Sequence, residues 1–177
     1  MGAIMKTFVS ILAATIAMTS IGSAQAQSNT KPAAPARAST TIVKWVTEAD
    51  LRALVLAEGH TIDAMHPFEA PSVRGKTKEG LVFVLIGTAC DVKGVSGCQG
   101  VMMQVRYDSD DTVTADGINK ANLKEAAIST WWDKEDKTVG FTRYVVLDDG
   151  ITWLNLRQNL RVLFSVQAAA NKEAFPK

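Results

Sequence analysis

Apolar residues recur at helical spacing in "VTEADLRALVLAEG", the stretch that opens the folded part of the chain. Thr47 is a good N-cap, and Asp50, three positions later, can return a hydrogen bond to it in the manner of a capping box. Gly59 supplies a left-handed stop after the last apolar position. The stripe predicts a helix over residues 47–58, and it is formed by Leu51, Leu54 and Val55.

Two further helices are predicted towards the C-terminus. The final stretch has helical spacing and predicts a long amphipathic helix, with its apolar positions at Trp153, Leu156, Leu160, Leu163 and Phe164. The segment Thr114–Ala127 is helical by composition, but its apolar stripe is thin, because it consists of Ile118, Ala121, Leu123 and Ala126. A helix of this kind packs shallowly or borders a partner.

Strand patterns account for the remaining segments. Leu81–Ile86 is apolar without alternation, which predicts a central strand buried on both faces. Val101–Asp108 alternates, so its even-numbered residues, Gln104 among them, are predicted to face water. Two strands flank the polar turn Asp133–Lys137, and a weak strand is predicted at His60–His66. The order α-β-β-β-α-β-β-α predicts an α+β domain with an antiparallel five-stranded sheet and three helices.

The first 26 residues have the layout of a secretory signal. Lys6 precedes the apolar run Thr7–Gly22, and Ala24–Ala26 places small residues where a signal peptidase cuts. An uncleaved membrane anchor is the alternative, although the run of 16 residues is shorter than the ~20 residues that a spanning helix needs. We expect cleavage after Ala26 and a periplasmic protein that begins at Gln27.

The mature chain would begin with a leader that lacks large apolar residues. Residues 27–41 are rich in Ala, Pro, Ser and Thr, a composition that favours a flexible segment, so the single folded domain is expected over residues 42–177. Without Lys6 the chain holds 18 basic and 18 acidic residues, a formal charge of zero. This balance gives no electrostatic footprint for nucleic acid or, after signal cleavage, for an anionic membrane surface.

The chain has two cysteines, Cys90 and Cys98, with seven residues between them. An exported protein meets an oxidising compartment, where paired cysteines are usually disulfides. The two residues lie at facing ends of two predicted strands, within the distance that a disulfide spans. Redox and metal motifs favour a spacing of two residues instead. The pattern therefore predicts an intramolecular disulfide that staples a hairpin.

Three polar residues, His60, Asp63 and His66, recur every three positions. On a helix they would share a face and could hold a metal ion. Gly59 ends the helix before them, however, and in a strand His60 and Asp63 would point to opposite faces. We therefore predict no metal site and no cofactor.

Carboxylates cluster in two short stretches, "DSDD" and "DDG". A calcium loop needs a closing Glu, which "DSDDTVTADG" lacks, so a solvated turn is favoured. No G-x-S-x-G or H-E-x-x-H motif occurs. No catalytic residue is predicted at these positions, which are Asp108, Asp110, Asp111, Asp148 and Asp149.

Adjacent tryptophans, Trp131 and Trp132, stand in a predicted strand. Neighbouring side chains of a strand face opposite ways, so one ring can enter the core while the other lies on the second face. That second ring is either covered by the domain's own helices or exposed at an interface. We therefore take Trp131 and Trp132 as candidate partner-binding residues.

Three stretches together resemble the YbjN family of bacterial sensory transduction regulators. They are "DLRALVLAEGHTI", "GINKANL" and "RYVVLDDGITWLNL", and they span most of residues 47–163. The resemblance implies a fold similar to that of type III secretion chaperones. The sequence departs from the family at "AAISTWWDKED", where an aromatic-basic pair would be expected near the helix end.

The resemblance implies a non-enzymatic binding or regulatory domain. Together with the signal layout of residues 1–26, it leads us to expect an exported protein that acts through contacts with a protein partner. Members of the family are often dimeric, so a homodimer is one arrangement that it implies. The alternative is a small envelope enzyme, such as a hydrolase, with a site assembled from scattered residues. A deep cleft with a perturbed His or carboxylate would favour the enzyme, whereas a shallow apolar surface would favour the binding protein.

Overall fold

The computed structural model describes residues 37–63 and 70–176, so the predicted signal peptide, most of the predicted leader and His66 lie outside the described residues. Within them the elements follow in the order β1 (Ile42–Val43), α1 (Glu48–Ala57), β2 (Thr61–Ile62), β3 (Ser72–Lys76), β4 (Val82–Cys90), β5 (Cys98–Asp108), α2 (Ala115–Lys124), β6 (Ser129–Asp133), β7 (Thr138–Val146), β8 (Ile151–Thr152) and α3 (Trp153–Ala174). The α+β class with three helices is confirmed for this part of the chain.

The main sheet has six antiparallel strands in the order β2-β3-β4-β5-β7-β6, so the prediction of five strands is wrong. The additional strand is β3, whose sequence "SVRGK" holds a single large apolar residue. β3 pairs with β4 along its whole length. Gly75 lies under the ring of Phe83, since a Cβ at position 75 would be 2.3 Å from Phe83 Cζ. This strand therefore forms because it pairs with β4 and packs against Phe83, and its own hydrophobic pattern does not predict it.

Helix α1 matches its prediction closely. Thr47 caps it with a complete capping box, in which Asp50 Oδ2 accepts from Thr47 N at 2.9 Å and Thr47 Oγ1 accepts from Asp50 N at 3.4 Å. The backbone turns to a φ of +75° at Gly59, which ends the helix as expected.

Helix α2 buries fewer of its residues than α1 and α3 do. Only Gly117 and Ala121 of its residues are buried, and Leu123, predicted to lie in the apolar stripe, is 76% exposed. That part of the prediction is wrong, because the helix turns its Gly and Ala side towards α3. A Cβ at Gly117 would lie 2.8 Å from the carbonyl oxygen of Glu173.

The hydrophobic core lies between the helices and one face of the main sheet. Helix α3 supplies its long apolar stripe as predicted, and α1 covers the β2–β3 side. None of the helices in the described ranges combines the length and hydropathy needed to cross a bilayer. The largest fully buried side chains are Trp153, Phe83, Phe141, Leu51, Leu54, Leu85, Met103, Leu147, Leu156, Leu160 and Leu163.

Strand β4 lies inside the sheet as predicted, but only one of its faces is buried throughout, so the prediction of two buried faces is wrong for part of the strand. Phe83 and Leu85 face the core and are fully buried; on the other face Ile86 is buried, whereas Val82 and Val84 are only half-buried. The reason is that the described helices pack on one face of the sheet. Continuous apolar character therefore does not mark a strand covered twice in this chain.

The segment before α1, residues 37–46, crosses the start of α3, and we call it the strap. The first two amides of α3, on Trp153 and Leu154, donate to the carbonyls of Thr41 at 2.7 Å and Ser39 at 3.0 Å. These bonds satisfy donors that a helix N-terminus leaves without partners. Strand β1 pairs with β8 in the same region. The end of the segment predicted as leader thus packs on the domain.

Candidate partner-binding face of the sheet

The face of the main sheet that points away from the helices is the candidate site, and we call it the open face. Strand register aligns Val84 with Gln104 and Thr142, and Ile86 with Met102 and Tyr144. No helix within the described residues packs on this side. Its members on β4 to β7 are Val82, Val84, Ile86, Met102, Gln104, Arg106, Trp131, Thr142, Tyr144 and Val146.

An apolar band crosses the open face diagonally from β4 to β7. Its end on β7 is the most exposed, with Tyr144 at 53% and Val146 at 61% exposure. Apolar side chains that adjoin one another on a sheet surface are typical of interaction sites. The band consists of Val82, Val84, Ile86, Met102, Tyr144 and Val146.

A hydrogen-bonded network lies beside the band. Gln104 Nε2 donates to Thr142 Oγ1 at 3.0 Å, and Arg106 donates to Gln104 Oε1 from Nε at 2.9 Å and from Nη2 at 2.6 Å. Gln104, predicted to face water, is only 5% exposed, because its amide is engaged by neighbours on both sides. Such a satisfied network fixes the side chains of the surface.

Trp131 belongs to the open face and is held flat upon it. Its Nε1 donates to Thr142 Oγ1 at 2.9 Å, and the guanidinium carbon of Arg106 lies 5.7 Å from the ring centroid. The indole covers Gly140, where a Cβ would lie 2.0 Å from Trp131 Cζ2. The ring is therefore pre-organised, which lowers the entropy lost when a partner binds.

Trp132 points the other way and packs against the core. Lys134 Nζ lies 4.6 Å from its ring centroid. The two indoles thus lie on opposite faces of β6, as strand alternation predicts. Their role in binding a partner stays a prediction.

The predicted disulfide between Cys90 and Cys98 is present, and it joins residues in register at the end of β4 and β5. Tyr144 stands near this end of the open face, with its hydroxyl 2.9 Å from Thr88 Oγ1. A Cβ at Gly100 would lie 2.5 Å from the same hydroxyl. The disulfide therefore fixes the register of β4 and β5, the two strands that carry four of the six residues of the apolar band.

The residues considered for a metal site are not brought together. His60 packs between Phe83 and Phe164, with ring centroids 5.5 and 5.3 Å away, and burial lowers the pKa of His60. Asp63 Oδ2 lies 3.1 Å from Arg74 Nε. No group of three His, Cys, Asp or Glu side chains suited to a metal ion occurs in the described ranges.

The acidic stretches form turns. Asp110 Oδ1 accepts from the backbone N of Thr112 at 2.9 Å and from its hydroxyl at 2.5 Å, and these bonds lower the pKa of Asp110. Asp148 Oδ1 accepts from Gln99 Nε2 at 2.8 Å. Both arrangements match the solvated turns predicted from the sequence.

The strap lines a concavity of about 400 Å³. Its wall contains two cations but neither a histidine nor a carboxylate among the lining residues, which are Arg37, Thr41, Ile42, Val43, Lys44 and Trp45. It therefore lacks the perturbed His or carboxylate that would have favoured the enzyme hypothesis.

Sequence reasoning identified Trp131 but missed Tyr144, Val146 and Met102. A usable signal existed in "TRYVV", because alternation along β7 places Tyr144 and Val146 on the side of Thr142. The alternation alone does not say which face of β7 is exposed, and this became clear only from the structure, in which the helices cover the face opposite Thr142.

Comparison with solved structures shows a shared fold. An uncharacterized protein from Methanothermobacter thermautotrophicus matches with a TM-score of 0.53 at 14% identity, over 73% of this chain and 99% of that chain. YbjN from E. coli, described as a putative transcription regulator, matches with a TM-score of 0.53 at 11% identity, over 74% and 95%. The ExsC–ExsE complex gives a TM-score of 0.49 at 10% identity, over 73% and 95%.

No family model matches the chain, and no curated protein matches it. The resemblance to the YbjN family is thus supported at the level of the fold, because the sequence identities are too low to carry more than that. The α+β fold of this chain is similar to that of YbjN, and its main sheet has six strands where the sequence predicted five.

Proposed function

We propose that this chain is an exported, non-enzymatic binding protein that holds a segment of a protein partner on the open face of its sheet. The observation that carries the proposal is the apolar band with the pre-organised Trp131 beside it. These side chains occupy a rigid surface that no helix of the described residues covers. Rigid aromatic side chains at the centre of a surface are the usual anchors of protein interfaces.

The shape of the band indicates the kind of segment that would bind. From Val82 to Val146 it covers four side-chain rows along the strands and three neighbouring strands, which is roughly 20 Å at standard strand spacing. An amphipathic helix of about 14 residues has the same length and presents apolar side chains at intervals of three and four. We therefore expect the partner to contribute such a helix, laid across β4, β5 and β7.

Export is the second part of the proposal. The signal layout of residues 1–26 supports it, and so does the disulfide, since such bonds persist in oxidising compartments. Because the proposal places this chain in the periplasm, it places the protein partner there as well.

Site-specific photo-crosslinking in cells tests the proposal. A crosslinking amino acid replaces Tyr144 on the open face or, as the matched control, Arg52, which is exposed on α1. We expect one discrete adduct from position 144 and none of that mass from position 52. The captured protein is then purified and its affinity measured by calorimetry.

Substitutions decide whether the purified protein uses the open face. Tyr144→Ala and Met102→Ala should each weaken binding about tenfold or more, as anchor side chains do. Leu123→Ala, which removes an exposed apolar residue of α2, should leave the affinity unchanged. Equal affinity in all variants would rule out the open face as the binding site.

A further inference from the structure

Met102 is the member of the apolar band that lies on β5, the middle one of its three strands. Strand register places it between Ile86 on β4 and Tyr144 on β7. Its side chain is partly exposed, whereas Ile86 beside it is only 7% exposed. The thioether of Met102 is therefore the side chain that solvent and a partner reach at the centre of the band.

The two large rings of the open face lie against glycines and not on Met102. Tyr144 leans along the strands over Gly100, where a Cβ would lie 2.5 Å from the tyrosine hydroxyl oxygen and 3.1 Å from its Cζ. The indole of Trp131 covers Gly140 in the same way. The sulfur of Met102 thus keeps its access to solvent between two rings that are held aside.

Met103, the next residue in the chain, gives the opposite case. Alternation along β5 turns it to the core face, where it is fully buried with 0% exposure. In the ranges 37–63 and 70–176 these two are the methionines. They share their chemistry and their strand and differ in whether a small oxidant can reach the sulfur.

The open face carries this thioether in a domain whose thiols are already oxidised. Both cysteines form the disulfide, and the described residues hold no free cysteine. A peroxide then meets the methionine sulfur, which donates a lone pair to one peroxide oxygen as the O–O bond breaks. The sulfur is oxidised by two electrons to the sulfoxide. The second oxygen takes up the proton of the transferred one and leaves, so that hydrogen peroxide is reduced to water.

We propose that Met102 is a sulfoxidation site, at which oxidants of the peroxide class make the centre of the open face polar and release the protein partner. The sulfoxide oxygen is a strong acceptor that water satisfies on the free surface, but that lies among apolar side chains in a complex. The oxidation itself stands on the exposure of Met102, while the release of a partner rests on the proposed function.

The test treats the folded full chain with hydrogen peroxide and follows each methionine by peptide mass mapping. We expect the sulfoxide to form at Met102 at least about tenfold faster than at Met103, because a buried thioether reacts only after local opening. Denaturant melts report whether the oxidised protein stays folded, and hydrophobic-interaction chromatography measures its exposed apolar surface. Met102→Leu removes the sulfur from the open face, and Met103→Leu is the matched control in the core, since such swaps conserve side-chain volume.

Peroxide should shorten the retention of the wild type and of Met103→Leu, and leave that of Met102→Leu unchanged. The affinity for the protein identified by photo-crosslinking should fall roughly tenfold or more in the first two proteins, because an acceptor without a donor enters the interface. In Met102→Leu the affinity before and after treatment should be the same. Met65 is present in all three proteins, so an effect of its oxidation would also appear in Met102→Leu.

Equal oxidation rates at Met102 and Met103, or a response to peroxide in Met102→Leu, would overturn the proposal. If Met102→Ala weakens partner binding but the sulfoxide does not, release by oxidation is wrong although the open face binds. If Met102 is oxidised first and retention falls, while neither the sulfoxide nor Met102→Ala changes the affinity, the proposed function is wrong and the sulfoxidation site stands.

Discussion

The indole of Trp131 lies flat on Gly140, so closely that a Cβ at position 140 would be 2.0 Å from Trp131 Cζ2. The two residues face each other across β6 and β7. A side chain at position 140 and the present position of the ring exclude each other. The smallest residue of β7 therefore determines the orientation of the largest ring on the open face.

Gly140→Ala should displace Trp131 and break its bond to Thr142. We expect a loss of roughly 1–3 kcal/mol in the free energy of unfolding, as for other overpacked sites, together with a red-shifted tryptophan emission. Ser129→Ala, an exposed change on β6, the strand that carries Trp131, should alter neither quantity. Unchanged emission and stability in Gly140→Ala would mean that the ring does not rest on position 140.

The two tryptophans should respond differently to truncation. Trp132→Ala removes a ring that packs on the core and should cost roughly 3 kcal/mol of stability. Trp131→Ala should cost less stability and mainly weaken partner binding. Denaturant melts measure the loss of stability, and calorimetry with the protein identified by photo-crosslinking measures the loss of affinity.

Trp132→Phe is the control for that comparison. The buried Nε1 of Trp132 has no hydrogen-bond partner within residues 37–63 and 70–176, so losing it should change stability little. Equal losses of stability in Trp131→Ala and Trp132→Ala, with partner binding unchanged in both, would contradict the assignment of Trp132 to the core and of Trp131 to partner binding.

Glu58 joins the end of α1 to α3, and this link should depend on pH. Its carboxylate accepts from Arg157 Nε and from Arg161 Nε, each at 2.5 Å. Burial alone would raise the pKa of Glu58, but the hydrogen bonds from Arg161 and Arg157 outweigh it and hold the pKa below its ordinary value. A depressed pKa contributes stability above the unfolded-state value, and that contribution is lost as the pH falls through the folded-state value.

Glu58→Gln should therefore lower the free energy of unfolding by roughly 2 kcal/mol at neutral pH, the range for hydrogen bonds to charged groups. The difference from wild type should shrink as the pH falls below about 4.5. Denaturant melts between pH 3 and 7 measure it, with Glu135→Gln as a control in the exposed turn between β6 and β7. A difference that stays constant across this range would show that the charge of Glu58 is not what stabilises the link.

Replacing both cysteines with alanine tests the staple. Closing a loop of this length contributes about 2.5 kcal/mol in the chain-entropy model. Val46 and Cys98 exchange backbone hydrogen bonds at 2.9 and 2.8 Å, so the strap should also exchange its amide hydrogens faster in the double variant. Melts and hydrogen exchange measure these changes, and free thiols in protein purified from the periplasm would contradict the disulfide.

The mature protein is expected to begin at Gln27. The apolar run and the small residues Ala24–Ala26 define the cleavage site. N-terminal sequencing and intact mass of periplasmic material check this directly. A full-length chain recovered with the membrane fraction would show that the segment is an anchor instead.

The sequence by itself determined the features that rest on local rules. The capping box of Thr47 and Asp50, the long stripe of α3 and the hairpin between Cys90 and Cys98 each depend on residues near one another in the chain. Local hydrogen bonds and periodicity are readable without knowledge of the fold. The same is true of the opposite directions of Trp131 and Trp132, which follow from the pleat of a strand.

Only the tertiary structure decided which face of the sheet is covered and where its edges lie. "SVRGK" is a strand because it pairs with β4 and because the ring of Phe83 packs directly on Gly75. Tyr144 and Met102 form part of one surface because register brings them together from β7 and β5. Asn122 hydrogen-bonds the backbone of Thr130 on β6 because the end of α2 lies beside that strand. These relationships depend on contacts between segments distant in sequence or on the direction of a turn, and hydrophobic periodicity carries no information about either.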